Sequence, residues 1–183
     1  MRKRRSLLIP LVLAAATLAW PAPAQATSAS HQDPVGDATG AKDPRADITT
    51  VDVSYIGGMI TVGLTVVNPE PPTSRNWIDG DSGIFWTVFV NDDEYEVNFS
   101  AFEDGLSGAL YDPQEKEICN GQAKATFGAD NRYVVTFPAS CLGNPPEITI
   151  TSELTYDDIA SGRGISEDVA PDNEEDCCDV TPS

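Results

Sequence analysis

Between Val51 and Val66 the apolar residues fall on every second position. Val51, Val53 and Tyr55 alternate with Asp52 and Ser54, and after Gly57-Gly58 the residues Ile60, Val62, Leu64 and Val66 alternate with Thr61, Gly63 and Thr65. A period of two sends successive side chains to opposite faces of an extended chain, so both runs read as half-buried strands. The Gly-Gly between them is a hairpin signal, because glycine takes the positive φ that tight hairpin turns demand. The same period returns in Tyr95, Val97 and Phe99. It returns again in Tyr133, Val135 and Phe137, whose run (132–137) pairs with residues 122–127 across Gly128-Ala129-Asp130-Asn131. Residues 84–90, Ile-Phe-Trp-Thr-Val-Phe-Val, are apolar on both faces, as in a central strand covered on each side. A last strand spans residues 147–154, with Ile148 and Ile150 on one side. No window carries a sustained helical stripe. The expected fold is all-β, an antiparallel β-sandwich of about eight short strands.

The two ends read differently. Arg2, Lys3, Arg4 and Arg5 precede an apolar run from Leu7 to Trp20, and Ala24-Gln25-Ala26 follows Pro21 and Pro23. That is the layout of a secretory signal peptide with its cleavage site. The run is shorter than the ~20 apolar residues that cross a bilayer, so no membrane insertion is expected after cleavage. Residues 27–46, rich in Ser, Ala, Asp, Gly and Pro, read as a loop lead-in, 47–156 as the β-sandwich domain, and 157–183 as an acidic C-terminal tail. Without apolar periodicity the tail is expected to be disordered or bound only along an edge. The protein is expected to be secreted.

Removal of the leader takes four basic residues and no acidic one, leaving 7 Lys and Arg against 29 Asp and Glu, a net charge near -22. Such a chain cannot neutralise phosphates, so nucleic acid is excluded as a partner. It leaves many carboxylates free for hard cations.

An oxidising compartment permits disulfides. If Asp130 sits at the centre of its hairpin, Cys119 and Cys141 face each other, within the ~4.4–6.8 Å Cα separation that a disulfide accepts. Closing that loop contributes about 3 kcal/mol in the chain-entropy account. Cys177 and Cys178 are adjacent, a vicinal or intermolecular pair. The lone histidine, His31, falls in the lead-in, a poor place for the positioned base that a catalytic triad needs. No pair of carboxylates stands out for glycoside hydrolysis. The chain is therefore expected not to be an enzyme, with a secreted hydrolase as the least favoured reading.

Three acidic groupings are candidate calcium sites. The first is Asp33-Pro34-Val35-Gly36-Asp37, joined by Asp43 and Asp47; it is the favoured one. The second is Asp79-Gly80-Asp81-Ser82-Gly83, and the third is Asn91-Asp92-Asp93-Glu94. The second opens like an EF-hand loop, but Val90 stands at its last position, where a bidentate Glu is required. Asp, Asn and Gly are also ordinary turn formers. Trp77, in a Pro-rich stretch beside Arg75 and Asp79, is a candidate saccharide-stacking platform, with a cap on the sandwich edge as its structural alternative.

Two segments, Asp33-Pro34-Val35-Gly36-Asp37-Ala38 and Ala46-Asp47-Ile48-Thr49-Thr50-Val51-Asp52-Val53, resemble the opening of bacterial secreted β-sandwich domains of the carbohydrate-binding module family 9 and DOMON-like type. Trp86 running into Asn91-Asp92-Asp93, the Val135–Gly143 segment and Asp168-Val169-Ala170-Pro171 are further points of likeness, so the resemblance spans residues 33–172. It implies a sandwich fold and export. The aromatic pair with which family 9 modules hold sugars has only Trp77 as a counterpart. The expected function is a non-catalytic binding or surface-interaction domain for a saccharide, a cell-surface component or calcium. The alternative is a structural protein of the cell envelope without a small-molecule site.

Overall fold

The computed structural model describes residues 27–172 and 177–183; the expected leader, residues 1–26, lies outside the described residues. In chain order the strands are β1 (Ser28–Gln32), β2 (Thr39–Gly40), β3 (Ile48–Ile56), β4 (Met59–Val66), β5 (Gly83–Val90), β6 (Asp93–Phe102) and β7 (Gly105–Tyr111). Then follow β8 (Glu117–Ile118), β9 (Lys124–Phe127), β10 (Tyr133–Pro138), β11 (Ile148–Asp158), β12 (Gly164–Ala170) and β13 (Cys177–Val180). One short helix, α1 (Arg75–Ile78), and a 3-10 turn at Ala139–Leu142 complete the set.

Two antiparallel sheets face each other. The smaller has five strands in the order β1-β3-β4-β10-β9. The larger has eight, ordered β2-β12-β11-β5-β6-β7-β8, with β13 also paired to β11. The alternation read from the sequence maps onto this directly. Val51, Val53, Ile60, Val62 and Leu64 are buried against Ile84, Trp86, Val88, Ile150 and Leu154 of the opposite sheet. Each fully buried side chain of this kind stabilises the fold by about 1.5–3 kcal/mol. Gly57 and Gly58 take φ 59° and 73° in the two-residue turn that sets Ile56 opposite Met59.

The sandwich extends beyond both boundaries expected for it. β1 and β2 lie within the stretch read as lead-in, and β1 pairs with β3 over residues 28–32. At the other end β11 runs to Asp158, β12 pairs with it from Gly164 to Ala170, and β13 takes the same edge farther along. Among the described residues of the stretch expected to be a disordered or edge-bound tail, 157–158, 164–170 and 177–180 are therefore strand. The reason is legible in β12, whose polarity is inverted: Ser166, Asp168 and Ala170 point inward, while Ile165 and Val169 are exposed. A pattern search for buried apolar residues passes over such a strand.

Cys119 and Cys141 are bonded, with Cα atoms 5.7 Å apart. The expected register holds in the ladder itself, where Tyr133 faces Phe127 and Thr136 faces Lys124. Both cysteines lie beyond that ladder, Cys141 in the 3-10 turn that follows Pro138. Cys177 and Cys178 are bonded to each other.

Candidate metal centre

The 33–47 loop leaves β1 and is pinned to β12 and β3 at several points. Thr39 and Gly40 pair with Glu167 and Ser166, and the Asp43 amide donates to Ser166 Oγ at 2.9 Å. The Asp33 amide donates to the Thr49 carbonyl at 3.1 Å. Gly36, at φ +97°, donates its N–H to both carboxylate oxygens of Asp47, at 3.0 Å each. The Ile48 amide, at the start of β3, donates to Asp168 Oδ2 at 2.7 Å. This lacing carries Asp33 and Asp37 over the inward-facing Asp168 of β12. One carboxylate oxygen from each of the three lies within 4.8 Å of the others.

These carboxylates are sheltered and without counter-charge. Asp33 is 7 % exposed and Asp168 5 %. All four side-chain oxygens of Asp33 and Asp37 are buried without a hydrogen-bond partner. The nearest basic side chain to Asp33 is the His31 imidazole, 3.9 Å away, and among the described residues no Lys or Arg pairs with Asp33, Asp37, Asp47, Asp168 or Asp172. Burial, reinforced by Asp168, Asp172, Asp37 and Asp47, pushes the Asp33 carboxyl up to about 7. Burial and the charges of Asp37 and Asp47 raise Asp168 to about 6, although two backbone amides donate to it. Asp172 is raised as well, by burial first and then by Asp37. Calcium takes six to eight oxygen ligands at about 2.4 Å, so two oxygens on one ion can stand up to about 4.8 Å apart. The three carboxylates meet that condition.

Asp43, expected in this grouping, belongs elsewhere. Arg45 grips it twice, through Nε at 2.8 Å and a terminal nitrogen at 2.6 Å, and the same nitrogen reaches Asp158 at 2.7 Å. Arg45 also lies 4.6 Å above the Tyr156 ring. Arg45 holds the Asp43 carboxyl below its ordinary range, and Asp158 is lowered by Ser161 and Arg45. The sequence signal was the arginine two positions beyond Asp43, one of few basic residues in the domain.

The other acidic runs do not join the centre. Asn91 and Asp92 form the turn between β5 and β6, with Val90 opposite Asp93. Asp79 makes an exposed pair with Arg75 at 3.1 Å.

The stacking platform expected at Trp77, Arg75 and Asp79 is absent. Trp77 is 1 % exposed. Its indole plugs one end of the sandwich, with ring centroids 5.0 Å from Tyr133 and 5.8 Å from Phe99. The helix α1 directs this large apolar side chain inward, since burying it outweighs leaving it in water. The edge-capping alternative is the arrangement observed.

The outer face of the larger sheet carries a groove of ≈ 640 Å³. Its walls include Thr87, Glu94, Glu96, Tyr111, Asp112 and Glu115. Comparison of the chain with protein families, curated proteins and solved structures gave no match.

Proposed function

We propose that this chain is an exported, non-catalytic domain that binds calcium at the corner formed by Asp33, Asp37 and Asp168, where the ion fastens the 33–47 loop to β12. The observation that carries this reading is Asp33. Its carboxylate is buried, has no hydrogen-bond partner and faces two further carboxylates. Burial of an unpaired carboxylate is strongly unfavourable, and a bound cation offsets that cost. Calcium suits an all-oxygen donor set, and zinc, which favours nitrogen and sulfur, does not. The leader pattern and the disulfides support export, and extracellular calcium modules work with dissociation constants of about 0.1–1 mM.

The test is thermal unfolding of the 27–183 chain in millimolar calcium against a chelator control. At a calcium concentration 100 times the dissociation constant, stability rises by about 2.7 kcal/mol. No rise at millimolar calcium overturns the reading.

A second reading, saccharide binding, rests on the groove of the larger sheet, where Tyr111 offers an aromatic face and Thr87, Glu94 and Glu96 offer hydroxyl partners. Binding on a glycan array, lost in Tyr111→Ala, checks it.

A further inference from the structure

Cys177 and Cys178 belong to neither the acidic corner nor the groove, and their bridge differs in kind from Cys119–Cys141. The Cα atoms of Cys119 and Cys141 stand 5.7 Å apart, inside the usual range of about 4.4–6.8 Å for a disulfide. Between Cys177 and Cys178 one peptide bond fixes the separation at 3.7 Å. A bridge between chain neighbours cannot reach the usual range, and a bridge outside it is more readily reduced. The backbone registers the constraint: Cys178 takes φ +72°, in the left-handed region that a side chain disfavours. The pairing with β11 registers it too. Ile148 faces Val180 and Ile150 faces Cys177, so three steps along β13 match two along β11. The extra residue falls at Cys178–Asp179, as in a β-bulge. Beside it, Thr149 Oγ1 donates to Asp179 Oδ1 at 2.6 Å. β13 also lies against β1 and β3 of the smaller sheet, so this strand ties the two sheets together along one side.

We propose that Cys177–Cys178 is a two-electron redox site that exchanges with dithiols and governs the seating of β13, while Cys119–Cys141 is structural. The two sulfurs differ in access, since Cys177 is 4 % exposed and Cys178 is half-buried. A thiolate of the dithiol attacks Cys178 Sγ, the S–S bond breaks, and Cys177 leaves as a thiolate that takes up a proton. The second thiolate of the dithiol then attacks its own sulfur in the mixed disulfide. This releases the Cys178 thiolate, which is protonated in turn. The dithiol ends as a disulfide, and the protein has gained two electrons and two protons. Opening the ring frees Cys178 from φ +72°, and the bulge loses the constraint that shapes it. Cys177 remains suited to its buried position, because a free thiol packs as a small apolar group. The acidity of the chain favours an uncharged dithiol over an anionic one.

Dithiothreitol, an uncharged dithiol, tests the site on the unaltered 27–183 chain. The chain is equilibrated with increasing dithiothreitol, free thiols are trapped by alkylation, and the labelled cysteines are located by peptide mass mapping. Cys177 and Cys178 are expected to be labelled at about one-tenth of the dithiothreitol concentration that opens Cys119–Cys141. In the selectively reduced chain, amide hydrogen exchange is expected to quicken across residues 177–180 and to stay unchanged in β5 and β10. The two bridges opening together, or Cys119–Cys141 opening first, overturns the redox site. Selective opening with unchanged exchange across 177–180 overturns the control of β13. A chain carrying both Cys177→Ala and Cys178→Ala stands in for the reduced state, so its β13 should exchange quickly with or without dithiothreitol. A response to dithiothreitol in β13 of that variant would trace the effect to Cys119–Cys141 and overturn the assignment.

Discussion

Asp33 and Asp43 belong to the same loop and are both buried, yet they sit in opposite electrostatic settings. Around Asp43 the charge is closed within the protein: Arg45 bridges it to Asp158, and Arg163 stands 3.9 Å away. Around Asp33 the carboxylates of Asp37, Asp47, Asp168 and Asp172 gather, with no Lys or Arg paired to any of them among the described residues. A fold needing only to anchor this loop to the larger sheet has done so once with an ion pair, to Asp158 at the end of β11. The second anchor is built from like charges, and under the proposed reading a cation completes it. Local acidity therefore does not single out this corner; acidity without a paired base does.

The largest effect expected from breaking this contrast lies on the Asp43 side. Arg45→Met strands two carboxylates that are almost fully buried. The loss is about 3–5 kcal/mol, the range for removing one partner of a buried pair. Chemical denaturation reads it, and calcium is expected not to restore it.

The pH response comes next, and its sign differs between the two sides. Asp33 is raised from 3.8 to about 7 and Asp168 from 3.8 to about 6. The folded state thus holds these protons more tightly than the unfolded chain does. In chelator, stability should be greatest near the lower value and fall as pH climbs towards 7, by up to about 1.4 kcal/mol per pH unit for each group. Asp43 and Asp158 are lowered from 3.8, so their stabilisation is present above that value and disappears as pH falls below it. Melting temperatures between pH 3 and 8 in chelator should pass through a maximum on the acid side, and calcium should move it towards neutrality. A chelated profile that rises steadily to pH 7 counts against the unpaired corner.

The smallest effect sharpens the comparison most. Asp33→Asn keeps the shape of the side chain and removes its charge. In chelator at pH 7.5 it should stabilise the domain by roughly 1 kcal/mol, the worth of less than one pKa unit. In calcium it should fall below wild type. The crossing of the two melting curves is the signature; a variant less stable in both conditions points to a packing role for Asp33.

Much of the sandwich was legible because β3, β4, β10 and β11 bury one apolar face and leave a polar one outside. β1 was not, since Ser28–Gln32 contains no large apolar residue and is fixed by its ladder to β3. β12 was missed because the residues it turns inward, Ser166 and Asp168, are polar; they hold the loop and the start of β3. Asp33 and Asp37 could be picked out locally, as acids around a Gly-containing turn. Asp168 and Asp172 are far away in the chain and join them only through the pairing of β12 with β11. Asp43 looked equivalent to its neighbours until Arg45 was placed. Trp77 resembled a loop aromatic because neither its neighbours nor its spacing reveals that α1 faces the core.

Those buried indoles give the molecule an optical consequence. Of the three tryptophans the described residues hold two, Trp77 at 1 % exposure and Trp86 at 0 %. Both should emit at short wavelength in the folded 27–183 chain, which holds no other tryptophan. They also watch different places. Trp86 lies in the middle of β5, at the heart of the larger sheet, while Trp77 rests against Tyr133, Phe99 and Tyr156 beneath the loop that α1 interrupts. A Trp86→Phe protein would report, by its emission colour alone, the opening of that end of the sandwich.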